Sequence, residues 1–314
     1  MSVEGDFKNG MSLLMSGRCD EASAIFLKLY GQNISKSFKI QLIDALLASL
    51  DTLNESEKLI SLVSEGVTIA EQVNDLSAKA YFLSRKADFL MHKKSLLEYR
   101  RVNLKLTPGW FCFSLEEEKK KYEAISQEVD KLEKEISFLL AEAVELAENQ
   151  GDKKCLALIL MSKASIESSR YLQYKADLIM KNGRAKLFNF FHKIGYEIPI
   201  LYGLGNFKVL KNCKINFSKS YLKAAKLFEE IDDMESASAY YDLAVHLSTA
   251  YDFRKAKRYL DIAEKLAKKY GYMLVIEKIK GFRVIVKNRN KDVPNYLEGE
   301  RRNRVVIPNN SIDL

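Results

Sequence analysis

A short motif returns along this chain at a nearly constant interval, and that interval restricts the fold more than any other feature. Val67-x-Ile69-Ala70-Glu71 reappears as Val144-x-Leu146-Ala147-Glu148 and again as Leu260-x-Ile262-Ala263-Glu264. Between the second and third copies stands a matched pair, Ala185-Lys186-Leu187-Phe188 and Ala225-Lys226-Leu227-Phe228. The marker alanines Ala70, Ala147, Ala185, Ala225 and Ala263 are 77, 38, 40 and 38 residues apart, the first step being close to a double one. A period of roughly 39 residues suits stacked units of two helices with short connections, each helix having about four turns at about 3.6 residues per turn.

Few residues would interrupt such helices. The 314 residues include only 4 prolines and 14 glycines, below the ~5% and ~7% of average proteins. Apolar residues make up 47%, enough for a continuous core. Near the C-terminus the helix pairs carry a finer pattern. Tyr221-x2-Ala224-Ala225-x2-Phe228 is followed, after eight intervening residues, by Ala237-x3-Tyr241-x2-Ala244. Tyr240-x2-Leu243-Ala244-x2-Leu247 is likewise followed by Ala256-x3-Leu260-x2-Ala263. The two readings overlap on one helix, so the division into first and second helices stays open there. A thinner version runs through Gly10, Leu13, Gly17, Ala22, Phe26 and Leu29. Small residues at these positions let two helices cross closely, and large ones fill the groove between crossings.

Over 216–270, and less fully over 3–31, the chain resembles the tetratricopeptide-repeat (TPR) family; elsewhere it shares only the periodicity. The resemblance implies an all-α fold, a right-handed α-solenoid of antiparallel helix pairs, with a surface that binds other proteins. Its repeat is longer than the family's ~34 residues, which is similar to long-helix members among bacterial regulators and adaptor proteins. The family's lysine/asparagine clamp for C-terminal carboxylates is not matched, because Leu222 and Lys226 occupy its places.

One expected copy, near residue 108, is missing, and Thr107-Pro108-Gly109 stands there instead. From Leu76 to Lys105 there is no Pro or Gly. Beyond the break, Tyr122, Ile125, Val129, Leu132, Ile136, Leu139, Ala143 and Leu146 alternate steps of three and four, which is a heptad seam. The spacing predicts two long antiparallel helices, 76–105 and 115–149, inserted as a hairpin whose tip carries Trp110, Phe111 and Phe113. The seam also admits a homodimer through the hairpin, although 76–105 supplies a partner in cis. The organisation expected is TPR-like helices over 1–75, the hairpin over 76–149, basic TPR-like helices over 150–288, and an extended basic tail over 289–314. Shorter helices are predicted at about 36–52, 55–73, 153–182, 184–194, 216–231, 235–249, 253–270 and 272–288, with 195–215 irregular around Gly195, Pro199, Gly203 and Gly205.

Catalytic patterns are absent. His92, His192 and His246 are solitary, and Cys19, Cys112, Cys155 and Cys213 lie far apart, so neither metal-ligand spacing nor a secreted disulfide framework is present. No phosphate-binding Gly-rich loop and no Gly-x-Ser-x-Gly turn occurs. Asp232-Asp233, between two predicted helices, suits a helix N-cap and first turn. The expectation is a non-enzymatic protein without cofactor or metal. The opening residues MSVEGDFKNG show no signal-peptide pattern, and no window approaches ~18 uninterrupted apolar residues. A cytoplasmic location follows as the expectation.

Charge gives the functional lead. The formal net charge is +8, unevenly spread. Residues 116–148 hold eleven acids against five lysines, residues 181–226 ten basic side chains against Glu197 alone, and residues 251–291 thirteen basic against four acidic. The sequence therefore reads as a basic body attached to an acidic hairpin. Fields of one sign attract acidic protein segments or phosphate backbones, whereas lysine-rich faces are also ordinary solvated surface. The leading expectation is an adaptor or regulator that binds another protein, or an acidic or amphipathic peptide segment. Nucleic-acid binding through the basic half is the alternative. Candidate contact residues are Lys219, Lys226, Tyr241, Arg254 and Arg258, with Trp110 at the hairpin tip. The many tyrosines between Tyr171 and Tyr272 suit inter-helix grooves, and some suit peptide anchors.

Overall fold

A computed structural model of the chain describes residues 2–50, 56–106, 115–181, 204–250 and 252–288. Every regular element among them is an α-helix. The contacts separate two compact units, divided between Gln150 and Gly151. The first holds α1 (Val3–Met15), α2 (Cys19–Tyr30), α3 (Lys36–Ser49), α4 (Ser56–Gln72), α5 (Leu76–Leu106) and α6 (Leu115–Gln150). The second holds α7 (Lys153–Lys181), α8 (Leu204–Glu230), α9 (Glu235–Thr249), α10 (Phe253–Lys269) and α11 (Met273–Asn288). Helix α8 begins well before the expected 216, so 204–215 is corrected from irregular to helical. Gly205 falls in its first turn, where it breaks nothing, and the apolar register runs back from Phe217 to buried Leu210. Ala185, the helix expected at 184–194, the tip with Trp110 and the tail 289–314 lie outside the described residues.

Four of the helix joins share one recurring turn. Gly17, Asn74, Asp232 and Gly271 have φ of 80°, 56°, 54° and 66°, the left-handed conformation that ends a helix. The residue after each donates its N–H back across the turn: Arg18 to Leu13 O (2.9 Å), Asp75 to Ala70 O (2.9 Å), Asp233 to Phe228 O (2.8 Å) and Tyr272 to Ala267 O (2.8 Å). Carboxylates then start the next helix. Asp75 accepts from the Ala78 N–H at 2.8 Å, Asp152 from Cys155 at 2.9 Å, and Asp233 from Glu235 at 2.9 Å. Asp232 and Asp233 thus have separate roles: the first takes the left-handed residue, the second the cap.

Small residues at the crossings let helices approach closely. The marker alanines Ala70, Ala147, Ala225 and Ala263 are fully buried. Two glycines go further. A Cβ on Gly10 of α1 would stand 2.5 Å from Phe26 Cε1 of α2, and one on Gly66 of α4 would stand 2.9 Å from the Phe82 ring of α5. In both cases the aromatic ring lies sixteen residues downstream, on the following helix. The first unit's core gathers around these rings with Leu14, Leu42, Ile43, Leu46 and Val63. Tyr30 donates to Glu65, linking α2 to α4. Tyr81 donates to Asp44 at 2.6 Å, linking α3 to α5.

Helices α5 and α6 form the hairpin that the heptad seam predicts. Val129, Leu132, Ile136, Leu139 and Ala143 are buried, and α5 packs on both α4 and α6. A ladder of ion pairs fixes the direction: Lys79 with Glu142 at 3.1 Å, Lys86 with Glu135 at 3.5 Å, and Lys93 with Glu128 at 3.9 Å. Each step of seven forward on α5 meets a step of seven back on α6. Lys94, only 5% exposed, lies 3.3 Å from Glu98 and 2.9 Å from Glu133. From Val129 to Ala143 the seam is covered in cis by α5.

The second unit is a zigzag. Helix α8 packs on α7 and α9, α10 packs on α9 and α11, and α9 also touches α7 and α11. Helices α7, α9 and α11 therefore form one row, and α8 and α10 the other. Helix α9, touched from both rows, is buried almost all round. Its Tyr240 stacks on Tyr259 of α10 at 5.9 Å, and its His246 stacks on Tyr221 of α8 at 5.4 Å.

Substitutions at the crossings test this packing. Ala225→Leu or Ala263→Leu adds volume where none is free and lowers stability by about 1–3 kcal/mol in denaturant melts. Gly66→Ala is also expected to destabilise, although alanine favours helix by about 0.5–1 kcal/mol, because the buried Phe82 ring has nowhere to move. Parent-like melts for all three would show the helix register to be wrong. In the hairpin, Lys94→Met leaves buried Glu98 without its cation and is expected to cost about 3 kcal/mol; a change below the error of the melt would remove the ion trio as a register device.

Candidate interaction surface

The charged side chains of the second unit are sorted by helix geometry. Helix α8 turns Leu210, Phe217, Tyr221, Ala224, Ala225 and Phe228 inward. At about 100° per residue, the opposite line carries Lys208, Lys211, Lys219, Lys223 and Lys226, all exposed. At about 1.5 Å per residue that line is about 27 Å long. Helix α10 buries Ala256, Leu260, Ala263 and Ala267, leaving Arg254, Lys257, Arg258 and Lys265 exposed. Because α8 and α10 share one row, both lines face outward on the same side of this unit.

Pairing decides which of these charges remain available. Lys269 meets Asp232 at 2.5 Å, and the hydrogen bonds from Lys269 and Tyr270 hold that carboxyl below its ordinary range. Lys268 meets Glu264 at 2.7 Å and is the main cause of that carboxyl's lowered pKa. Arg283 of α11 reaches Asp261 at 2.7 Å and Glu264 at 2.5 Å. Lys214 lies 3.2 Å from Asp252. By contrast, Lys208, Lys211, Lys219, Lys226, Arg254, Lys257, Arg258 and Lys265 make no ion pair or hydrogen bond among the described residues.

Of the expected contact residues, Lys219, Lys226, Arg254 and Arg258 fall together on this face. Tyr241 does not. It is 3% exposed, its ring edge-on to Phe282 at 6.1 Å, so it fills the α9–α11 groove and is not available as a surface anchor. Tyr171, Tyr221 and Tyr240 are buried in the same way. Trp110 lies outside the described residues. Lys208, Lys211, Lys257 and Lys265 were not anticipated as contact residues. The spacing of 208, 211, 219 and 226 marks one helix face, a signal hidden when 195–215 is taken as irregular.

The acidic hairpin also needs correction. Helix α6 carries eleven acids and five lysines, but α5 carries eight basic residues and two acids. The two helices cancel, and the ladder brings several of these opposite charges together. Residues 1–75 hold six basic and eleven acidic side chains, and residues 151–304 hold thirty-one basic and seventeen acidic, a net of +14. The chain's positive charge therefore resides in the second unit.

Ser168 Oγ and His246 Nδ1 are 2.7 Å apart, yet both residues are buried and the imidazole lies under Tyr221. Among the described residues no group of His, Cys, Asp and Glu side chains could hold a metal ion. No helix among them is long and apolar enough to cross a membrane. No protein-family model matches the chain, and no curated protein matches it.

Proposed function

We propose that this chain is a non-enzymatic binding protein, a TPR-like helical repeat that docks an acidic segment of another protein on the α8–α10 face of its second unit. The observation that carries this reading is the set of eight exposed cations on that face that make no ion pair or hydrogen bond among the described residues. Unpaired cations leave a field to attract and steer an acidic ligand. Two features support the repeat reading. The signature residues Tyr221, Ala224, Ala225, Phe228, Ala237, Tyr241 and Ala244 are all buried, and the glycine–aromatic crossing occurs twice. Stacked helix pairs of this kind offer extended surfaces to partners.

A phosphate backbone is the second reading, favoured by the length of the α8 lysine line. Single-stranded nucleic acid, however, is usually gripped by exposed aromatic rings as well as cations, and Tyr171, Tyr221, Tyr240 and Tyr241 are turned inward. An acidic peptide needs no such rings.

The test reverses Lys219, Lys226, Arg254 and Arg258 to Glu. Binding of fluorescein-labelled poly-L-glutamate, and of a short labelled DNA duplex and single strand, is measured at low and high salt. The parent is expected to bind the acidic peptide in a salt-sensitive manner and DNA only weakly and without sequence preference. The fourfold variant loses at least tenfold in peptide affinity with an unchanged melt. A variant that binds as the parent does would show that this face is not the docking surface; tight, steeply salt-dependent DNA binding would favour the second reading.

A further inference from the structure

The eight exposed cations of the α8–α10 face are not of one kind. Those on α8 are all lysines, whereas α10 adds Arg254 and Arg258 to Lys257 and Lys265. Helix α10 buries Ala256, Leu260, Ala263 and Ala267. At about 100° per residue, Arg254 and Arg258 stand about 20° to either side of the line opposite that buried face. One turn separates them, about 6 Å along the axis, so both guanidinium groups can reach the same small anion.

The acids of α10 and its cap are all engaged elsewhere. Asp252, the N-cap, lies 3.2 Å from Lys214 of α8 and 3.5 Å from Lys255. Asp261, three residues beyond Arg258, is drawn to Arg283 of α11 at 2.7 Å. Glu264 holds Lys268 at 2.7 Å and the same Arg283 at 2.5 Å. No other acid lies on α10. Arg254 and Arg258 therefore keep their charge without an ion pair or hydrogen bond among the described residues, although like charges one turn apart weaken a helix. An anion held between them offsets that repulsion.

We propose that Arg254 and Arg258 clamp a phosphorylated side chain of the acidic partner segment, while the α8 lysines hold the carboxylates that flank it. The inference rests on the docking role proposed above for this face. A guanidinium presents its N–H donors as a planar fork that meets phosphoryl oxygens two at a time, whereas an ammonium acts as a point charge. A phosphorylated side chain brings about −1.5 to −2 charges and three strong acceptor oxygens, enough to neutralise both arginines at once. The α8 lysines, spread over about 27 Å, suit a run of single carboxylates. A nucleic-acid backbone would repeat its phosphates along the whole face and gives no cause for the arginines to stand within one turn.

Three fluorescein-labelled peptides are titrated into the full chain. The first has a serine flanked by glutamates, the second has that serine phosphorylated, and the third has two glutamates in its place, which matches the phosphoryl charge. The parent is expected to bind the phosphopeptide about tenfold tighter than either of the others. Arg254→Lys with Arg258→Lys keeps the charge and loses the forks, so it removes that preference while the melt and the other two affinities stay as they were. Lys219→Gln with Lys226→Gln weakens all three peptides alike and keeps the preference. Equal binding of the phosphopeptide and its charge-matched control overturns the clamp and leaves the docking role standing; no binding of any peptide overturns both. A preference that survives the two arginine-to-lysine changes also overturns the clamp. So does a DNA single strand that displaces the labelled phosphopeptide as effectively as unlabelled phosphopeptide does, since the ligand is then a phosphate backbone.

Discussion

The closest helix crossings depend on pairing a very small residue with a large one. At Gly10 and Gly66 the backbone of one helix lies directly under a phenylalanine ring of the next, and buried alanines take the small role at the repeat markers. Such contacts require the two helices to approach to a fixed depth and register. The left-handed turn at Gly17, Asn74, Asp232 and Gly271 delivers the following helix in the right direction. The charged lines on the outside then follow, because a helix whose inner face is fixed by packing has its outer face fixed too.

Electrostatics divides the molecule differently from the way its sequence blocks suggest. In the hairpin, opposite charges repeat every seven residues on two antiparallel helices, and three pairs of them form a ladder. Isolated surface pairs of this kind are each worth only about 0–1 kcal/mol, so their value here is in disfavouring shifted registers rather than in stability. In the second unit the cations of α8 and α10 exceed the acids within reach. That surplus, and not the net charge of the whole chain, is the feature on which the proposed docking face rests.

Much of the fold was legible in the sequence, because helical periodicity survives without tertiary information. The steps of three and four from Tyr122 to Leu146 identified α6, and the absence of breakers identified α5. The start of α8 was not legible. Gly203 and Gly205 look like loop residues, and only burial of Leu210 reveals that the helix has already begun. Tyr241 was misjudged as a surface anchor because its own helix gives no hint of being buried from both rows. The acidic hairpin was misjudged because a charge sum over one helix cannot see the helix that pairs with it.

The claim that the surplus cations form the docking face is tested most directly by lysine footprinting. The chain is acetylated briefly, alone and with poly-L-glutamate, and the extent of modification at each lysine is read by mass spectrometry. Alone, Lys208, Lys211, Lys219, Lys226, Lys257 and Lys265 should react readily and Lys94 hardly at all. With the acidic probe, protection should concentrate on the α8 and α10 lysines and spare exposed Lys8 and Lys28 of the first unit. Protection spread evenly over every exposed lysine, or concentrated in the first unit, would contradict the account.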